Sequence, residues 1–286
     1  MMEEDRTASW DWRITAHTSW WSLNWRELWS YHHLLTGLVR REFILYYKQT
    51  FLGPIWMLLQ PTLTLLVYVS IFGKLVGIPT GTVPPALFYL AGIVLWNFFS
   101  EGFVGTSKIF QDNIHIFSKV YFPRIILPLS VLAVHALRFL IQLSFLLLLI
   151  LCFWIFGELP YTFNTYTLFV PVIVVLVGAL GLAFGLCFSL LTAKYRDLNN
   201  LVPTGIRLFM FLTPVIYPIA GTPEKFRWMV LWNPLTPLFE AFKFSLLEEG
   251  TFTILQLIYS GTLAVLLLFL ALISFNKQGD KLIDIV

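Results

Sequence analysis

Apolar residues dominate this chain in long uninterrupted runs, where a water-facing fold would break them with polar positions every two to four residues. Six such runs, near 52–75, 85–107, 126–156, 166–192, 201–220 and 252–275, approach or exceed the ~20 residues that cross a bilayer as a helix. Pro203 and Pro214 interrupt the fifth. A further apolar piece, 230–247, is broken by Pro234 and Pro237 and is too short for two crossings. The pattern predicts an all-α membrane protein with six transmembrane helices and a re-entrant hairpin at about 221–250, between spans 5 and 6. Protein or water must cover the backbone of that hairpin.

Before the first span, residues 1–50 form a predicted cytoplasmic N-terminal segment, leaving 51–286 as the six-span domain. Met1 to Arg13 is acidic and Trp-rich, without the apolar stretch and small-residue cleavage site of a signal peptide. Trp20, Trp21, Trp25, Leu28 and Trp29, followed by Leu34, Leu35, Leu38 and Val39, predict an amphipathic helix in the membrane interface, with Arg26, Arg40 and Arg41 towards headgroups. A plain anchor and a helix that also forms a docking surface both satisfy this periodicity.

Composition agrees with the spans: 58% of residues are apolar, 12% are charged, and the mean hydropathy is +0.77. Most of the 19 Lys and Arg fall in segments on one side, including Arg40, Arg41, Lys108, Lys119, Arg124, Lys194 and Arg196. Lys225, Arg227 and Lys243 fall on the other. The positive-inside rule therefore predicts both termini in the cytoplasm. Cys152 and Cys187 lie inside apolar runs, so neither a disulfide framework nor a metal site is indicated.

Several polar and aromatic residues occupy positions that lipid does not reward. Trp56, Gln60, Thr64 and Tyr68 recur every fourth residue and stay on one side of the first span. Tyr89, Trp96 and Phe103 recur every seven residues in the second, with Asn97 and Ser100 nearby. Both sets fit a path for a polar cargo; Trp56 and Tyr89 equally fit the aromatic belt at span ends. Arg138 lies well inside the third span on one face with His135 and Gln142, and Glu101 is its expected partner. Arg207 poses the same question in the fifth. Gly178, Gly181, Gly185 and Ser189 form a small-residue ridge expected to pack spans within one subunit. Between spans 2 and 3, residues 109–119 read as an amphipathic cytoplasmic helix.

Three separated motifs carry a resemblance. Arg40-Arg41-Glu42-Phe43, Tyr47-Lys48-Gln49-Thr50, Leu52-Gly53-Pro54, Trp56 and Gln60-Pro61 open the first. Lys194-Tyr195-Arg196-Asp197-Leu198 with Thr213-Pro214-Val215-Ile216-Tyr217-Pro218 makes the second, and Trp232-Asn233-Pro234-Leu235 the third. In this order they resemble the ABC-2 type permeases that export polysaccharides, over roughly residues 28–286, and most of all those for lipid-linked O-antigen. The resemblance implies a homodimer in the bacterial inner membrane, joined to two copies of a separate ATPase that binds ATP and Mg, and a cargo of glycan on an undecaprenyl carrier. It makes 109–119 the coupling helix, with Ile109, Phe110, Ile114, Ile116 and Phe117 entering a groove on the ATPase beside Asp112 and His115. Arg196 and Asp197 are the second contact, unless they pair locally. Aromatic planes of the path would stack on sugar C–H faces, and Arg138 and Arg207 would meet the anionic anchor of the cargo.

The sequence has no G-x-x-x-x-G-K-[ST] loop, so no cofactor is expected in this chain and the power must come from the partner. Two other classes remain in view: an ABC-2 exporter of capsule, teichoic acid, another lipid or a drug, and a polytopic enzyme acting on polyprenyl-linked sugars. The second needs an acid and a base at fixed spacing, which Glu248-Glu249 and the scattered histidines do not supply. The chain therefore reads as a transport permease and not an enzyme.

Overall fold

The computed structural model describes residues 29–48, 50–113, 122–157 and 164–283. The Trp-rich start and residues 114–119 of the expected coupling helix, His115 included, lie outside them.

Every regular element among the described residues is helical. Helix α1, His32–Tyr47, precedes α2, Trp56–Tyr68, which runs into a wider π-helical stretch, Val69–Leu75. Next come α3, Pro85–Ser107, and α4, Ile126–Ile155. A 3-10 turn, Thr165–Phe169, leads into α5, Val170–Lys194. Three shorter helices follow: α6, Leu198–Phe209, α7, Glu224–Trp232, and α8, Leu235–Leu247. The long α9, Ile254–Ile283, comes last. Among the described residues, five segments have the length and apolarity to cross a membrane: Gly53–Leu75, Pro85–Ser107, Ile126–Ile155, Thr165–Lys194 and Ile254–Lys277.

Helix α3 is the centre of the bundle, hydrophobic all round and buried on nearly every side, as a core helix must be. It packs on α4 and α5, and α5 packs in turn on α9. The small-residue ridge of α5 makes the first of these contacts possible. A Cβ on Gly185 would lie 2.5 Å from the Thr106 Cβ, and one on Gly181 would lie 3.2 Å from the Phe99 carbonyl oxygen. The ridge thus joins spans within one subunit, as its spacing suggested. Helix α4 buries only one stripe and leaves Leu140, Leu147, Leu148 and Leu151 exposed for lipid.

The fifth apolar run does not continue as one helix. It ends as α6 at Phe209, passes a 3-10 turn, Met210–Leu212, and bends at Thr213-Pro214-Val215 before turning into α7 and α8. Pro214 has no N–H to donate, and Thr213 before it takes the extended conformation that proline demands of its predecessor. The bend leaves carbonyls that no helix satisfies, and side chains from later in the chain satisfy them. Lys243 Nζ donates to the Pro214 oxygen at 2.6 Å and to the Val215 oxygen at 3.4 Å, and lies 3.8 Å from the Phe88 ring centroid. Asn233 Nδ2 donates to the Leu212 oxygen at 3.2 Å and to Thr213 Oγ1 at 2.9 Å. Gly92 of α3 lets the bend approach, since a Cβ there would lie 2.4 Å from the Val215 oxygen.

Lys243 is grouped by the charge pattern with an external loop. It is 0% exposed, because α8 is a core helix packed on α3 and α5 and not a surface excursion.

Helix α1 turns part of its apolar stripe to the bundle. Leu38 is buried and Leu34 and Leu35 pack beside it against the start of α4 and α9, while Trp29, Ile44 and Leu45 stay exposed. Its apolar stripe therefore faces protein up to Leu38 and is open at Ile44 and Leu45.

Candidate functional site

A cavity of about 550 Å³ opens between α1, α2, α3, α4 and α6. Its polar wall is built by helical spacing. Trp96, Ser100 and Glu101 of α3 line it, and His135 and Arg138 stand three apart on one face of α4. Arg138 Nη1 donates to Glu101 Oε2 at 3.3 Å, and His135 Nδ1 lies 3.0 Å from the same oxygen. One carboxylate thus holds two basic side chains in register across two helices. Gln142, one turn beyond Arg138, accepts from Asn97 Nδ2 at 3.4 Å and donates to the Met57 carbonyl at 3.3 Å, tying α2 to the same wall.

Gln60 enters from α2 and Arg207 from α6, and Arg41 and Asp112 stand among the lining residues. Arg207 and Arg41 are exposed, and no ion pair joins either to a carboxylate among the described residues. Desolvation pushes the Asp112 carboxyl above its ordinary value, against the pull of Lys108. The arrangement offers an anion two unpaired guanidinium groups and one whose charge is already shared with Glu101. Trp96 adds an indole wall, its ring 5.6 Å from Phe99 and 6.3 Å from Phe209 and Phe239.

Of the residues expected along a cargo path, the fold brings Gln60, Trp96, Arg138 and Arg207 to this cavity. Trp56 and Thr64 stay on the outward face of α2, with Met57, Pro61 and Leu65 turned inward. Tyr68 is half-buried and donates to Met210 Sδ at 3.6 Å. Tyr89 and Phe103 do not reach the cavity. Tyr89 is 0% exposed and packs edge-on to Tyr68 and Phe88; Phe103 sits among Phe99, Phe184 and Phe188. A seven-residue repeat on a wholly buried helix marks its packing as much as any path.

The expected coupling surface is also divided. Ile109 and Phe110 are buried and cannot enter a groove on another protein, since Phe110 stacks on Phe275 with centroids 5.2 Å apart. The turn they belong to, Ile109–Asp112, is tied to α5 through Gln111 Nε2 donating to the Thr192 carbonyl at 2.8 Å. Ile114, His115, Ile116 and Phe117 lie outside the described residues. Arg196 and Asp197 are both exposed and form no ion pair with each other, so the local pairing is not seen. At the opposite end of the bundle, Glu249 accepts from the Thr82 N–H at 2.7 Å and from its hydroxyl at 2.9 Å, which makes it a loop tie.

Sequence reasoning missed Lys243, Asn233 and Gly92. In the sequence Asn233 and the neighbourhood of Lys243 stand out only as motif and loop, and nothing local ties them to a bend 20 to 29 residues earlier.

Comparison with known proteins agrees with the geometry. The family described as ABC-2 type transporter matches residues 33–247. The O-antigen export system permease protein RfbA of Myxococcus xanthus is 28% identical over 258 residues, covering 90% of this chain and 96% of the relative. Its namesake in Klebsiella pneumoniae is 27% identical over 257 residues, covering 88% and 95%. The polysialic acid transport protein KpsM of Escherichia coli is 22% identical over 233 residues, covering 81% and 88%.

Proposed function

The chain belongs to the ABC-2 type transporter family, and from that premise we propose that it is the membrane subunit of an ATP-driven exporter of lipid-linked polysaccharide. It is a multi-pass membrane protein and a permease component. The observation that carries the cargo reading is the cavity in which Gln60, Trp96, Arg138 and Arg207 converge from four helices. A phosphate-linked glycan presents an anionic anchor followed by sugar rings. Guanidinium groups recognise the anchor by paired N–H donors, and the indole stacks on a ring without selecting one set of hydroxyls. Relatives named for O-antigen and for polysialic acid support a saccharide cargo, the first more strongly by identity and coverage.

On this reading the working unit is a homodimer of six-span subunits, the region 198–247 forming the bent fifth element and the re-entrant piece. It sits in the bacterial cytoplasmic membrane with both termini inside. The outward stripe of α2, with Trp56 and Thr64, serves the path or the seam between subunits. Two copies of a separate ATPase hold ATP and Mg, and the exposed Arg196 and Asp197 with the segment after Asp112 receive their thrust.

The test is ATP hydrolysis by this chain co-purified with its ATPase in lipid, with and without undecaprenyl-linked O-antigen. Stimulation by the glycolipid, lost in Arg207→Ala, is the expected result. A stable complex that the glycolipid does not stimulate moves the cargo to capsule, teichoic acid, another lipid or a drug.

A further inference from the structure

A second cavity, of about 530 Å³, lies at the opposite end of the bundle, where α7, α8 and the start of α9 meet the 3-10 turn before α5. Its aromatic wall is rigid: Tyr166, Phe244 and Phe252 pack edge to face around one another, with centroids 5.4, 6.0 and 5.4 Å apart. Three donors reach this space without a partner among the described residues. They are the Arg227 guanidinium, the Tyr166 hydroxyl and the Gln256 amide nitrogen, whose own Oε1 is held by the Thr253 N–H at 3.0 Å.

The position fixes the depth. Two membrane-spanning segments, Thr165–Lys194 and Ile254–Lys277, both end at this cavity, so it sits at headgroup level. Ile254, which lines it, and Leu255 and Ile258 further along α9 are 69%, 79% and 60% exposed and give an acyl chain an apolar track. A cation with two further donors above a hydrocarbon track complements one kind of molecule. We propose that this cavity binds the phosphate headgroup of an amphiphile, with the guanidinium of Arg227 on the phosphate and the tail along α9. The site lies apart from the cavity of Arg138 and Arg207 and does not depend on the cargo proposed there.

The experiment is photolabelling of the purified full-length chain by a diazirine-bearing phosphatidic acid and by the matching diacylglycerol, which lacks phosphate. Labelled residues are mapped by mass spectrometry. The phosphatidic acid should label residues 254–258 and the diacylglycerol should not. Arg227→Ala, a change at an exposed side chain, should lower that labelling at least fivefold, Arg227→Lys less, and Arg207→Ala not at all. Undecaprenyl phosphate added as competitor separates the sources. Displacement identifies a polyprenyl carrier and retention identifies bulk phospholipid, and both keep the phosphate site. Equal labelling by the diacylglycerol, or full labelling in Arg227→Ala, would overturn the proposal. So would the absence of label at 254–258 from every lipid, since another protein surface would then cover this face.

Discussion

Arg138 and Lys243 are two cations inside apolar sequence, and the fold treats them in opposite ways. Arg138 shares a carboxylate with His135 at the rim of a cavity that reaches solvent. Lys243 is sealed among α3, α8 and the bend after α6, where its ammonium satisfies two backbone carbonyls and lies on the Phe88 ring. The first can exchange partners with something that enters; the second is occupied by the fold. An intramembrane charge is therefore a question about what surrounds it, and the answer differs between a wet rim and a dry bend.

Substitution should separate the two sharply. Lys243→Met removes the donor from the Pro214 and Val215 carbonyls. Leaving two buried acceptors without their donor costs about 1–3 kcal/mol each, and little folded protein should survive detergent extraction by size-exclusion chromatography. Gly92→Ala attacks the same bend from α3. Its Cβ must displace the Val215 oxygen, an overpacking that costs about 1–3 kcal/mol, seen as a lowered melting temperature. Arg138→Gln keeps a hydrogen-bonding group at the rim and should leave accumulation near normal while export falls at least tenfold. If Lys243→Met and Arg138→Gln prove equal in both assays, the contrast between them is void. The smallest effect on the fold belongs to the exposed pair Arg196→Glu with Asp197→Lys. Its melting temperature should not change, and a pull-down should show weakened capture of the ATPase.

The spans were legible because bilayer thickness imposes a length on apolar runs, and five of the six runs are single long helices. The Glu101 partner of Arg138 and the role of the Gly178 to Gly185 ridge were legible too, since both follow from helical spacing and from what lipid excludes. Side assignments were not. Ile109 and Phe110 are apolar on a short helix near a surface, and periodicity cannot say whether such a stripe faces the core or a partner. Tyr89 and Phe103 share their repeat with Trp96, yet only Trp96 reaches the cavity, and the other two pack among aromatic rings inside the bundle. Lys243 was out of reach for a different reason: its partners are carbonyls 28 and 29 residues earlier, and backbone oxygens leave no mark in a sequence.

The bend at Thr213-Pro214-Val215 also bears on electrical tightness. Carbonyl oxygens turned out of a helix inside a membrane are what cation channels use to replace water around an ion. Here the oxygens of Leu212, Pro214 and Val215 already face Asn233 and Lys243, and a fixed ammonium occupies the place where a sodium or potassium ion would sit. The opened helix thereby carries its own counter-cation, and its three free carbonyls are already taken by donors of the same chain.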